Sequence, residues 1–352
     1  MAQRLNNKAK IKSFITVTSS AAALFGGICI YQGNEKFYKE VAIPLIQQID
    51  PEIAHTIAVK ALKWGFVPKE KLNDPISLRT SIWDLVFKNP IGMAAGFDKQ
   101  GEAVEGLHKI GFSFVEIGSV TPMPQSGNPK PRVFRLLEDN AIVNRYGFNS
   151  DGHDKVWERV KKLKENKDFV GIIGINLGKN KDSEDAVQDY INGIKKFSDV
   201  ADYFVINVSS PNTPGLRSLQ SKENLENLLI KINETRQIIG SKQPLLLKLA
   251  PDLSETERQD IADIVLHTKT KIDDMYKRTY GKIPIIGVGG VFSGEDAYHK
   301  IKAGASLIQL YTSYIYNGPP IVGKIKRELN EILKKDGFSS VNEAVGKDIK
   351  IS

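Results

Sequence analysis

Between Asn207 and Thr213 the chain places two amides, Asn207 and Asn212, and three hydroxyls, Ser209, Ser210 and Thr213, within seven residues. The run before them, Tyr203–Val208, is apolar and aromatic in the manner of a strand, and the run after them, Pro211–Leu216, is rich in Pro, Asn and Gly. A core strand has no use for so many hydrogen-bonding groups; a site that grips a small, flat, polar ligand does. Lys248 is a second signal, because it interrupts the apolar run Leu245–Ala250. A buried lysine is costly unless it meets negative charge. It either snorkels out at the strand end or faces an electron-accepting ring, where it stabilises the reduced anion. A third signal is Gly287-Val288-Gly289-Gly290 ahead of a helix near Gly294, with backbone N–H groups for a phosphate. The segment Ala303–Thr312 then delivers a hydroxyl beside it, and two such turns in succession tell more than one.

The elements that must carry these groups alternate. Apolar runs at Ile91–Ala95, Phe114–Ile117, Gly171–Asn176, Tyr203–Val208, Leu245–Leu249, Ile283–Val288 and Leu307–Tyr311 are the strand candidates, with helical patterns between them. Nearly all end in polar or glycine-rich residues. Strand, polar C-terminal end, helix, repeated, is the pattern of an α/β protein of the (β/α)8 TIM-barrel type with its site at the C-terminal face. A doubly wound sheet is the alternative; it concentrates binding groups on two or three strands.

Length and composition agree with one large α/β domain: 352 residues, 41% hydrophobic, 26% charged. The single cysteine, Cys29, excludes an intrachain disulfide and a cysteine-based metal site, and the five histidines show no ligand spacing, so no metal is expected. The net charge of +8 comes from scattered lysines without a nucleic-acid-binding signature, so no nucleic-acid partner is expected.

The first twelve residues carry Arg4, Lys8, Lys10 and Lys12 and no acid, and residues 14–31 then carry no charge. As a helix those 18 residues span about 27 Å, close to the roughly 30 Å of a bilayer core. This reads as a mitochondrial presequence fused to a membrane anchor, with a secretory signal peptide as the rival. Cys29 inside it reads as a lipid-facing or packing residue. Phe37–Gln48 and Pro51–Trp64 follow at helical spacing, the second with Asp50 as N-cap and Pro51 in its first turn. They form either a membrane-surface hairpin or a pair packed on the main domain.

Longer motifs carry a family resemblance. Ala94–Lys99, Glu116–Pro122, Arg132–Arg135, Asn144–Asn149, Asn176–Asn180 and the Ile206–Leu216 stretch together resemble dihydroorotate dehydrogenase of the membrane-bound, quinone-using class, from about Phe37 to the C-terminus. The resemblance implies FMN-dependent oxidation of dihydroorotate to orotate in pyrimidine biosynthesis, with ubiquinone as acceptor, at the mitochondrial inner membrane behind a single-pass anchor. It implies Ser210 as the base that removes the C5 proton, Thr213 as its relay and Phe148 beside the substrate. Lys99, Asn144, Asn207 and Asn212 match groups on the pyrimidine and its carboxylate. Ala95, Gly96, Ser119, Asn144, Asn176, Asn207, Lys248, Gly289, Gly290, Tyr311 and Thr312 match flavin contacts. His55 and Arg135 match the lining of a quinone tunnel whose mouth the two N-terminal helices form. The implied organisation is an anchor over 1–34, a helical quinone module over 35–72 and the FMN-binding barrel over 73–352.

One departure stands out. After Lys248 come a helix from Ser254 to His267, with Ser254 and Glu257 as a capping box, then Thr268–Lys271 and a second helical stretch, Ile272–Tyr280. The family has a strand between two such helices, ending in Asn-Thr-Thr and followed by a Gly-Gly-Leu-Ser-Gly turn; this chain has neither. The expectation is a seven-stranded, gapped barrel lacking one internal β/α unit, its two flanking strands about 10 Å apart from the usual strand spacing. Two alternatives to the active enzyme follow: a catalytically impaired isoform, and a membrane-anchored binding protein with no redox role, against which Ser210, Lys99 and Lys248 speak.

Overall fold

The computed structural model describes residues 7–68, 70, 73–250, 252–268 and 275–349. Its strands are β1 (Thr80–Ile82), β2 (Leu85–Phe87), β3 (Ile91–Met93), β4 (Phe114–Val120), β5 (Val133–Leu136), β6 (Ala141–Asn144), β7 (Ile172–Leu177), β8 (Tyr203–Asn207), β9 (Leu245–Lys248), β10 (Ile285–Val288) and β11 (Ala305–Leu310). The helices are α1 (Asn7–Gln32), α2 (Glu35–Phe37), α3 (Ile43–Gln47), α4 (Pro51–Lys63), α5 (Val104–Lys109), α6 (His153–Glu165), α7 (Ala186–Phe197), α8 (Lys222–Ile238), α9 (Glu255–Thr268), α10 (Met275–Arg278), α11 (Gly294–Lys302), α12 (Thr312–Asn317), α13 (Pro320–Lys335) and α14 (Val341–Ala344).

Seven strands form one parallel sheet in the order β10-β11-β3-β4-β7-β8-β9, so β9 and β10 are its two edges. These are the strands that flank the expected missing unit, and among the described residues no strand pairs between them. The sheet is strongly curled. Lys248 on β9 and Glu116 on β4 are three strands apart, about 14 Å in a flat sheet, yet Lys248 Nζ lies 3.6 Å from Glu116 Oε1.

The interior of the curl is layered, as in closed barrels. Phe87 from the β1–β2 hairpin plugs the lower end against Phe114, with Tyr203 and Leu307 in the same buried cluster. Phe114 fills the space beside Gly92 and Tyr203 the space beside Gly174; a Cβ on either glycine would lie 2.3 Å or less from those rings. Above this apolar floor lies a polar layer of Glu116, Asn176, Asn207 and Gln309, all buried. Alternate residues on the same strands, such as Ile117, Ile175, Ile206 and Ile308, face outward into the larger cluster under the helices.

The N-terminal segment is helical. In α1 the hydroxyls of Thr18 and Ser19 donate back to the carbonyls of Phe14 (2.8 Å) and Ile15 (2.7 Å), satisfying themselves within the helix. Cys29 is buried, so it packs against the protein. The helix expected over Phe37–Gln48 is interrupted by a π turn, Tyr38–Ala42, closed by the Ile43 N–H to Tyr38 O. The cause is Pro44, which cannot donate into the ladder. Asp50 caps α4 as expected, accepting from the N–H groups of Glu52 and Ile53 at 3.0 Å. The capping box of α9 is also present: Ser254 N donates to Glu257 Oε2 at 2.7 Å and Glu257 N to Ser254 Oγ at 3.2 Å. Of the stretch after it, Met275–Arg278 is helical, and the part over 269–274 lies outside the described residues.

Candidate active site

A cavity of about 280 Å³ opens at the C-terminal ends of the strands. Its wall contains Ala95, Gly96, Lys99, Ser119, Asn144, Phe148, Asn207, Ser210, Asn212, Lys248 and Tyr311. Residues at the ends of six strands, β3, β4, β6, β8, β9 and β11, and in the loops that follow them thus converge on one space. Asn176 sits beneath them, fully buried, with Nδ2 on Glu116 Oε1 at 2.7 Å and Oδ1 accepting from Ser119 Oγ. Asn207 Nδ2 donates to Ser119 Oγ at 2.8 Å, and its Oδ1 accepts from Ser209 Oγ at 2.9 Å.

Five residues expected at this site fall outside that wall: Asn176, which lies beneath it, and Gly289, Gly290, Thr312 and Thr213. Gly289 and Gly290, after β10, and Thr312, the first residue of α12, do not line it. Thr213 is buried in the loop after β8, but its Oγ1 has no hydrogen-bond partner, and no bond joins it to Ser210. The Ser210 hydroxyl instead accepts from Asn212 N at 3.3 Å. The expected relay contact is therefore not formed in this arrangement.

Lys99 donates to Gly96 O at 2.7 Å and lies 3.9 Å from the centre of the Tyr146 ring. Burial lowers its pKa to about 7, with Arg132 adding to the effect and Glu52 and Asp98 opposing it. A lysine that protonates near neutrality is a sensitive receptor for a carboxylate.

A second cavity lies between α3, α4 and the barrel. Ile43, Ala54, Ala58, Val133 and Ile315 are among the apolar residues that line it, and His55, Arg135 and four tyrosine side chains bring polar atoms to it. Arg135 Nη1 donates to Ile49 O at 2.7 Å and Gln47 O at 3.1 Å, so it fastens the β5–β6 hairpin to the turn between the helices. His55 Nε2 donates to Phe97 O at 2.7 Å, which leaves Nδ1 as the acceptor for the Tyr146 hydroxyl at 3.4 Å. Burial first, and Lys99 second, push the imidazole pKa down to about 3, so the ring is neutral at physiological pH. Tyr146 and Tyr311 line both cavities and form the partition between them.

The family model for dihydroorotate dehydrogenase matches residues 77–273 and 268–333. The chain belongs to the dihydroorotate dehydrogenase family. It is 44% identical over 378 aligned positions to the mitochondrial quinone-dependent dihydroorotate dehydrogenase of Mus musculus, covering 94% of this chain and 95% of the mouse chain. It is 42% identical to the quinone-dependent dihydroorotate dehydrogenase of Parvibaculum lavamentivorans, over 88% of this chain and 99% of that one. A crystal structure of DHODH from Eimeria tenella in complex with ferulenol superposes with a TM-score of 0.82 at 36% identity, covering 87% of this chain and 99% of that one.

The same alignments leave room for the missing unit. Since 94% of 352 residues is about 331, roughly 47 of the 378 aligned positions are filled by the mouse dihydroorotate dehydrogenase alone. That is enough for a strand and its crossover helix. The two segments of the family match meet at 268–273, between β9 and β10.

Glu116, Gln309 and Tyr146 are site residues whose roles the sequence left unassigned. Glu116 and Tyr146 lay inside quoted motifs without a function. The signal for Glu116 was of the kind that singled out Lys248, a charge inside an apolar strand.

Proposed function

We propose that this chain oxidises dihydroorotate to orotate in pyrimidine biosynthesis, with FMN as its prosthetic group and ubiquinone as the electron acceptor. The observation that carries this reading is the convergence of Lys99, Asn144, Asn207, Ser210, Asn212 and Lys248 on one cavity that shares a wall with an apolar cavity. The ring-side residues fit a flavin. The cavity offers amides, a hydroxyl and one lysine to a flat heterocycle, and Tyr311 closes one side. Gly289 and Gly290 take φ of +89° and +67°, and a Cβ on either would meet nothing within 4 Å. Such a glycine pair leaves an open cradle in front of α11, suited to a phosphate.

The chemistry that FMN supplies there when bound is acceptance of the hydride lost from C6 of dihydroorotate. The protein supplies the rest. The Lys99 ammonium holds the substrate carboxylate, and the amides of Asn144, Asn207 and Asn212 fix the ring in its plane. Ser210 Oγ takes the C5 proton, and removal of that proton with the C6 hydride leaves the C5–C6 double bond of orotate. A serine is a poor base until its own proton has somewhere to go, and Thr213 is the relay we assign in the reacting complex. Phe148 covers the substrate. Lys248 sets positive charge against the flavin, and Ala95, Gly96, Ser119, Asn176 and Thr312 shape its bed. His55 and Arg135 give the polar contacts of the ubiquinone tunnel. These roles divide the chain into an anchor over 1–34, a quinone module over 35–72 and the FMN barrel over 73–352.

We place the protein at the mitochondrial inner membrane. Helix α1 is 26 residues long and apolar enough to cross a membrane, and little of it is buried against the protein. The apolar residues Leu45, Ile53, Ile57 and Trp64 of α3–α4 and the turn after it are exposed as well. The test is to purify the full-length protein from membranes and record its visible spectrum and its dihydroorotate:ubiquinone activity. A flavin spectrum with turnover supports the reading. A protein that holds flavin poorly and turns over little supports the impaired isoform, for which the two unpaired sheet edges speak. A protein without flavin or activity leaves the binding-protein reading.

A further inference from the structure

Glu116 is 3% exposed and sits at the centre of the polar layer under the cavity. Three side chains from three other strands converge on its carboxylate. Asn176 Nδ2 from β7 donates to Oε1 at 2.7 Å, Gln309 Nε2 from β11 donates to Oε2 at 2.7 Å, and Lys248 Nζ from β9 lies 3.6 Å from Oε1. The bonds continue through Asn176 Oδ1, Ser119, Asn207 and Ser209 to the residue next to Ser210.

A carboxylate is an acceptor only, whereas an amide has a donor end and an acceptor end. The amide nitrogens of Asn176 and Gln309 must therefore face Glu116. That forces Asn176 Oδ1 towards Ser119, turns the Asn207 amide so that its oxygen meets Ser209, and fixes the hydrogen-bonding character of the cavity floor in one direction. The same carboxylate is the ion-pair partner found for Lys248, whose side chain is 27% exposed at the cavity.

We propose that Glu116 is a positioning residue of the flavin site: it tethers Lys248 at the ring and sets the direction of the hydrogen bonds beneath it. The proposal rests on the FMN reading above. It goes beyond that reading because Glu116 is not among the cavity-lining residues and acts through others.

Two measurements test it. Neutron diffraction from the native protein locates the amide hydrogens. Asn176 Nδ2 and Gln309 Nε2 are expected against Glu116, and either oxygen found there overturns the proposal. The second is Glu116→Gln, titrated with FMN and poised against redox dyes at saturating FMN. FMN affinity should fall about tenfold or more, and the midpoint potential of the bound flavin should fall, because Lys248 has lost its tether. Loss of one nearby negative charge acting only through space gives the opposite sign, so a potential that rises or stays put overturns the proposal. In a cycle with Lys248→Met the two potential shifts should be non-additive; additive shifts count against a role through the lysine. If the native protein takes up no FMN, the cofactor reading fails, and the amide orientations still decide the role of Glu116.

Discussion

Arg132 holds Glu52 by two bonds, Nη2 to Oε1 at 2.8 Å and Nε to Oε2 at 3.2 Å, with side-chain exposures of 8% and 16%. The pair fastens α4, and with it one wall of the tunnel, to the loop ahead of β5. Arg132→Gln removes a charge-assisted fork and leaves Glu52 to Lys130; the expected loss is about 2 kcal/mol, a melting temperature lower by about 3 °C. The Arg132 hydrogen bond holds the Glu52 carboxyl below its usual 4.5. Its folded-state affinity for a proton is thus lower than in the unfolded chain, so its contribution is full above pH 4.5 and fades as pH falls below that. Chemical denaturation across pH 3–7 should show this acid loss in the native protein and a flatter curve in the variant.

Lys99 gives a pH dependence of the other kind. Its folded pKa is lowered to about 7, so without substrate it is charged below that pH and neutral above it. The Michaelis constant for dihydroorotate should rise above pH 7, by at most about tenfold per pH unit, and Lys99→Met should remove the dependence along with most of the affinity. Stability of the substrate-free protein should move oppositely. The unfolded chain keeps its proton up to about 10.5, so stability rises with pH between 7 and 10.5. A flat Michaelis constant from pH 6 to 9 would remove Lys99 as the carboxylate receptor.

Ser210→Ala tests the base. Flavin reduction by dihydroorotate in a stopped-flow instrument should slow by about 10²–10⁴-fold, while FMN content stays at the native level. A slowing below tenfold assigns the proton to another group.

The tunnel is tested from its wall. Ala58 lines the apolar cavity, and Ala58→Trp should fill it. The Michaelis constant for ubiquinone should rise at least about tenfold, with flavin reduction by dihydroorotate unchanged. Equal damage to both half-reactions shows that the two cavities are not functionally separate.

Gly106 supports the same wall from behind. A Cβ there would lie 2.4 Å from the backbone oxygen of Leu62, and backbone cannot yield as a side-chain tip can. Gly106→Ala should cost about 1–3 kcal/mol by overpacking and raise the ubiquinone Michaelis constant by parting α4 from α5. A thermal melt and a quinone titration check both.

Much of this was legible in the chain because a parallel sheet buries both faces, leaving apolar runs such as Phe204–Ile206 and Leu245–Leu247, with function at their ends. The absent strand could be read as a break in that rhythm after Lys248. Three things were not legible. Pro44 converts part of an expected helix into a π turn, which periodicity does not report. Glu116 faces inward among alternating neighbours, and its partners come from strands up to 193 residues away in sequence. The positions of Gly289, Gly290 and Thr213 relative to the cavity depend on loop paths, which local sequence does not determine.

The unpaired strands have a consequence outside catalysis. Among the described residues, β9 and β10 each keep one row of backbone N–H and C=O groups without a ladder partner. An ordinary closed barrel has no such rows and cannot grow by strand addition. This one leaves two edges open, and the apolar Leu245–Leu247 lies along one of them. Keeping such edges apart from those of a second copy is therefore a demand on this fold that a closed barrel never meets.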